Sequence, residues 1–165
     1  MRDYLHLLVA YLVALAAAVA AATALPDGTH PLAVAGAADA VATMVVFAFS
    51  LAHDNSSVYD PYWSVAPVAL VAYFAWLGFD RGADPVRLTA MSLLVGLWAV
   101  RLTFNFLRRW RGLDDEDWRY ADYRERYPTA YWLVSFSGFH FFPTLVVYLG
   151  CTPLFAVSAQ PGRPA

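Results

Sequence analysis

The residues best equipped for chemistry fall in two polar stretches, NSSVYDPYWSVAP at 55–67 and RLTFNFLRRWRGLDDEDWRY at 101–120. In the first, Tyr59, Asp60 and Tyr62 crowd into four positions. A tyrosine beside an aspartate can act as a proton donor whose acidity the carboxylate sets. A structural reading is equally open. Asp60 can cap a helix with Pro61 at its first position, while Tyr62 and Trp63 anchor a membrane interface. Asn55-Ser56-Ser57 fits the glycosylation pattern but falls in a loop expected on the cytoplasmic side.

In the second stretch and the residues just before it, Trp98, Arg101, Asn105 and Arg108 recur at spacings of three, four and three, which places them along one helix stripe. Arg101 lies inside an apolar run. Such an arginine faces a bundle interior, where its fork suits a phosphate or carboxylate, or it snorkels to the interface; the sequence leaves both open. Arg109 and Arg111 read as snorkelling residues. Trp118, Arg119 and Tyr120 begin an aromatic and basic run ending at Tyr127. That composition suits an interfacial helix on anionic lipid, or the wall of a pocket for a planar phosphorylated ligand. The four acids Asp114 to Asp117 read as the opening of a helix rather than as a metal cluster. Asp39, in GAADAVATM, is an intramembrane carboxylate and so a functional candidate by default, with Thr43 one turn on as a hydrogen-bond partner. His140, in FSGFHFFPT, reads as a packing residue in a helix that Pro143 kinks, and Cys151 as a small apolar filler.

A membrane must position these residues. Of the 165 residues, 60% are hydrophobic and 15% charged, whereas a soluble domain carries about 25% charge. The apolar residues form long blocks without strand-like alternation, so helices rather than a barrel are expected. Five spans are predicted, at 5–25, 32–52, 64–79, 86–106 and 131–151, each near the length of about 20 residues that crosses a bilayer. The fold class is therefore an all-α, multi-spanning transmembrane bundle. It forms one domain over 1–157, with a loop at 107–130 and a disordered tail at 158–165. The first span outruns the apolar core of a signal peptide, about 7–15 residues.

All eleven basic residues are arginine, and seven lie between 101 and 126. The positive-inside rule assigns loop 107–130 to the cytoplasm, and alternation adds the N-terminus and loop 53–62. Both chemical stretches then share one membrane face. A net charge of -2 on a membrane-embedded chain argues against a nucleic-acid partner. Without a repeat or a pair of broken helices, transport is disfavoured as well.

Taken together, the stretches at 55–67 and 101–120, Asp39 in AADAVAT and SGFHFFPTLVVYLGCTPL at 137–154 resemble the steroid 5-alpha-reductase-like membrane superfamily, in its bacterial branch of unknown function. The resemblance runs from about position 35 to 155. It implies a helical fold in a prokaryotic plasma membrane with a cytosol-facing NADPH pocket. It also implies reduction of carbon–carbon double bonds in hydrophobic, lipid-like small molecules; related members methylate prenylated cysteines with S-adenosylmethionine. On this resemblance Tyr59, Asp60 and Tyr62 form the catalytic acid group on the substrate side. Arg101, Asn105, Arg108, Trp118, Arg119 and Tyr120 line the cofactor side. Family members continue well beyond this point with an Arg-His-Pro-Asn-Tyr-type motif and much of the nucleotide site, so the chain is expected to correspond to an N-terminal half. The reductase reading requires a cavity lined by Tyr59, Asp60, Arg101 and Asn105. A non-enzymatic scaffold or binding protein requires that helix packing and Asp39 pairing fill that space.

Overall fold

Five apolar helices dominate the computed structural model, which describes residues 2–161. They are α1 (Arg2–Ala24), α2 (Pro31–Ala52), α3 (Tyr62–Asp80), α4 (Pro85–Arg109) and a last helix over Tyr131–Ala159. Each is long and apolar enough to cross a membrane. The short helix α5 (Trp118–Arg126) precedes the last one, which has three parts: α6 (Tyr131–Val134), a π-helical segment (Ser135–Phe141) and α7 (Phe142–Ala159). The described residues contain no strand. This is the all-helical, multi-spanning bundle that the segregated apolar blocks predict.

Local chemistry sets the helix starts. Pro31 and Pro85 occupy first-turn positions, where a missing N–H costs nothing. The Asp84 and Asp117 carboxylates accept from Val86 N and Arg119 N and so cap α4 and α5. The start of α3 departs from expectation. Asp60 does not cap it: Pro61 holds the cap position with no side-chain hydrogen bond. Residues Ser56–Tyr59 form a 3-10 turn that the Asp60 N–H closes onto Ser57 O, freeing the Asp60 carboxylate for another partner.

The last helix also runs past the expected boundary at 151, to Ala159. Ser158, placed in the tail by sequence, is buried in that helix and donates to Phe155 O at 2.8 Å. Residues 162–165 of the expected tail lie outside the described residues. α3 and α7 approach so closely that a Cβ at Gly78 would come within 2.6 Å of Ser158 O. The expected irregularity near Pro143 is taken up by the π-helical segment just before it. A proline cannot donate to the preceding turn and crowds the carbonyl four residues back.

α1 packs on α2, α3 on both α4 and α7, and α2 on α7. Ala10, Ala14 and Ala42 let α1 and α2 lie close, around Val46 and Tyr62. α4 leans mainly on α3, leaving Leu93, Leu94, Leu97 and Val100 exposed. At one end of the bundle, Tyr4 OH donates to Leu107 O and Trp110 O, His6 stacks on His53 at 5.2 Å, and Asn55 reaches the loop after α4. Both polar stretches meet at that end.

Candidate functional site

A polar clamp ties residues 54–60 to the loop and helix that follow α4. Asn55 accepts from Ser57 N at 2.7 Å and donates its amide to Leu113 O and Asp115 O. It is 2% exposed and spent on these bonds, so the glycosylation pattern it begins offers no accessible acceptor. Glu116 accepts from the buried Ser56 N at 2.7 Å, from Tyr131 OH at 3.1 Å and from Arg124 at 3.2 Å. Arg124 also pairs with Asp54 at 2.8 Å and lies over the Tyr131 ring at 4.0 Å. Gly112, at φ 113, lets the loop pass α1, because a Cβ there would meet the Asp3 carboxylate.

The clamp delivers α5 onto Asp60. Tyr120 OH donates to Asp60 Oδ1 at 2.5 Å, and Arg119 lies 3.9 Å from the same oxygen. Burial, then the Asp60 charge, raises the Tyr120 phenol well above the usual tyrosine range, so it stays protonated. A hydrogen bond from Arg119 lowers the Asp117 carboxyl below its ordinary value, and the same bond raises the guanidinium.

Two cavities meet at this point. One, about 440 Å³, lies between α3 and the end of α4 and has a mixed lining, with Ser57, Asn105, Arg109 and Asp117 beside Leu102 and Phe106. The other, about 370 Å³, lies between α3, α5 and α7 and is largely apolar, with Tyr59, Tyr120, Phe139, Phe142, Val146 and Val147. Asp60, Trp63 and Arg119 line both. Of the residues on the walls of the first, Arg109 enters no ion pair among the described residues, while the Trp110 indole N–H is buried without an acceptor and is not exposed to the cavity. The same cavity presents three carboxylates, Asp60, Asp115 and Asp117, beside the guanidiniums of Arg109 and Arg119.

The remaining buried polar groups pair among themselves. Tyr59 OH bonds Thr144 Oγ1 at 2.8 Å, Thr144 bonds Thr43 Oγ1 at 2.9 Å, and Thr43 donates to Asp39 O at 2.9 Å. Tyr62 OH donates to Asp39 Oδ1 at 2.7 Å, while the other Asp39 oxygen is buried without a partner. His140 is fully buried between Ser50, at 3.0 Å, and the Ser135 carbonyl, at 2.9 Å, the packing role expected of it.

Residues 46–164 match a protein family of unknown function, DUF1295. The chain belongs to this family. It is a steroid 5-alpha-reductase-like membrane family. A stretch of 115 residues, 67% of the chain, is 31% identical to an uncharacterized protein of Schizosaccharomyces pombe, covering 33% of that protein. The chain thus spans about a third of the length of the curated relative it matches. No solved structure matches.

In this DUF1295 chain, five of the nine residues singled out by sequence come together. Tyr59, Asp60, Asn105, Arg119 and Tyr120 line one or both cavities. Tyr62 lines neither and is turned to Asp39. Trp118 stands 74% exposed at the start of α5. Arg101 and Arg108 are exposed and take no part in the ion pairs among the described residues. The stripe read from spacing divides in two. Trp98 and Asn105 turn toward α3, with Trp98 6.2 Å from Trp63, while Arg101 and Arg108 turn outward. The cavity required of Tyr59, Asp60, Arg101 and Asn105 therefore exists as two spaces, and Arg101 lines neither. Arg109 and Trp110 were missed as lining residues. Arg109 follows Asn105 by four, a spacing that marks a shared helix face.

Proposed function

We propose that this chain forms the membrane portion of an NAD(P)H-dependent reductase of carbon–carbon double bonds in lipid-like molecules. The observation that carries the reading is the meeting, at Asp60, of a cavity with hydrogen-bonding groups on its walls and a largely apolar one. Cofactor and substrate need such adjoining compartments, one rich in hydrogen-bonding groups and one greasy. When bound, a reduced nicotinamide supplies hydride to one alkene carbon and leaves oxidised, and the other carbon takes a proton. Asn105 and Arg109 supply donors for the cofactor in the mixed cavity. Phe139, Phe142, Val146 and Val147 hold the apolar body of the substrate. Tyr120 keeps a proton beside Asp60 at the junction, and Arg119 balances the carboxylate charge. Tyr59 faces the apolar cavity with Thr144 behind it. Residues 53–62 and 107–130 lie on the cytoplasmic side in this reading, where NADPH is found.

The test is NADPH binding by the purified chain in detergent, followed by cofactor fluorescence, beside Asn105→Ala and Arg109→Gln. Saturable binding is expected. Each lost charge-assisted hydrogen bond, about 1.5–3 kcal/mol, weakens binding about tenfold or more. A folded wild-type chain that binds neither NADPH nor NADH refutes the proposal. The alternative, a non-enzymatic scaffold or binding protein, draws on the pairing of Asp39 with Tyr62 and the hydroxyl chain that fills the interior. It predicts no cofactor binding, so the same titration separates the two.

A further inference from the structure

We propose that the outer stripe of α4 binds an anionic phospholipid, with Arg101 and Arg108 on the phosphate and Leu94 and Leu97 along an acyl chain. This inference does not rest on the reductase reading. Leu94 and Leu97 are 69% and 68% exposed, and Arg101 and Arg108 continue their face toward the helix end. Seven residues separate the arginines, a rise of about 10.5 Å with a turn offset of only about 20°. Arg108 leans toward Arg101, so one phosphate between them is within reach of both when Arg101 bends back toward the helix end.

Arg101 has a particular need of such a partner. It precedes the expected end of the span at 106 by five residues, about 7.5 Å along the axis. Side chains on a helix lean toward its N-terminus, which here points Arg101 away from the nearer boundary. Snorkelling must then work against its own Cα–Cβ direction. A guanidinium left at that depth without a counter-charge is costly. No carboxylate pairs with Arg101 or Arg108 among the described residues, and Asp39, the acid within α2, is buried against Tyr62. Phosphate accepts a guanidinium fork well and arrives with its own apolar chains. Charge, depth and the leucines ahead of the arginines all select an anionic phospholipid.

The test uses the whole chain, reconstituted in nanodiscs of equal parts phosphatidylglycerol and phosphatidylcholine. The chain is then taken into mild detergent, and the lipid that stays with it is counted by mass spectrometry. Phosphatidylglycerol is expected to be enriched over its bulk share. Removing either charge, as Arg101→Gln or Arg108→Gln, lowers the enrichment about fivefold, and the double variant abolishes it. Arg126→Gln, which removes an exposed charge on α5 that is paired with Asp122, leaves it intact. Circular dichroism checks that the variants fold, and the paired arginine-to-lysine variant retains enrichment because the charge survives. Retention at the bulk ratio, or enrichment that survives the double variant, overturns the proposal. Displacement of the lipid by inorganic phosphate, or cross-links showing that a second copy covers Leu94 and Leu97, overturns it as well.

Discussion

Replacing Glu116 with alanine removes an acceptor from Ser56 N, Tyr131 OH and Arg124 at once. The consequences are unequal. Tyr131 keeps its bond to Ser56 Oγ at 2.7 Å, and Arg124 keeps Asp54 at 2.8 Å. That remaining ion pair is weak, because Asp54 is 77% exposed, and surface pairs contribute about 0.2–1 kcal/mol. Ser56 N loses its only acceptor among the described residues, while its residue is fully buried. A hydrogen bond to a charged group contributes about 1.5–3 kcal/mol, and a stranded buried donor adds its desolvation. The loss is therefore about 3 kcal/mol. At about 2–4 °C per kcal/mol for a chain of this size, the melting temperature falls by on the order of 10 °C. Thermal unfolding followed by circular dichroism in detergent reads this directly. Asp114→Ala is the comparison: Asp114 is exposed, and its loss stays within about 0.5 kcal/mol. Glu116→Gln falls between, since its amide oxygen can accept from Ser56 N but its NH₂ group confronts Arg124. Equal shifts for Glu116→Ala and Asp114→Ala would refute the clamp.

Two further outcomes are expected. Unfolded tyrosines ionise near pH ~10, whereas Tyr120 holds its proton above that range when folded. The unfolded chain then loses the proton first, so stability falls as pH rises past about 10. Tyr120→Phe flattens this alkaline decline in a melting series against pH, and an unchanged slope counts against the burial of that phenol beside Asp60. In the interior, Asp39→Asn keeps an oxygen for Tyr62 OH and unfolds near the wild-type temperature. Asp39→Leu removes the side-chain acceptor and costs about 1–3 kcal/mol. A destabilisation common to both variants in the same assay would show that the hydrogen bond is not what Asp39 supplies.

Most of the fold was legible because the bilayer enforces it. Five apolar blocks bounded by Pro26-Asp27-Gly28, Asp54-Asn55 and Asp80-Arg81-Gly82 have no other way to satisfy their backbone, and the five long helices follow. The misplaced boundaries have local causes. Thr152, Pro153 and Ser158 look like the end of a span, yet Pro153 lies inside α7 and Ser158 is packed against Gly78 of α3. Membrane helices tolerate such a proline because neighbours and hydroxyls satisfy the backbone it frees. The start of α3 was misjudged because Asp60-Pro61 has the form of a cap. Only the 3-10 turn before it, and Tyr120 sixty residues on, reveal that the carboxylate is engaged elsewhere.

The site was half legible for a geometric reason. Spacings of three, four and three define a band rather than a line. At about 100° per residue, Trp98 and Asn105 fall within about 20° of each other, as do Arg101 and Arg108, but the pairs stand about 40–80° apart. With α3 against only one side of α4, that offset decides which residues line a cavity and which face lipid. No local signal supplies it, because the deciding fact is where α3 lies. The same holds for Asp60, whose partners arrive on α5 only because Glu116 and Asn55 hold the intervening loop. The clamp is therefore upstream of the site. If Asp60 works as the junction of the two cavities, Glu116→Ala should weaken cofactor binding although Glu116 lines neither cavity. Asp39→Leu, whose loss is confined to the interior pair with Tyr62, should lower stability and leave cofactor affinity in the surviving folded protein unchanged.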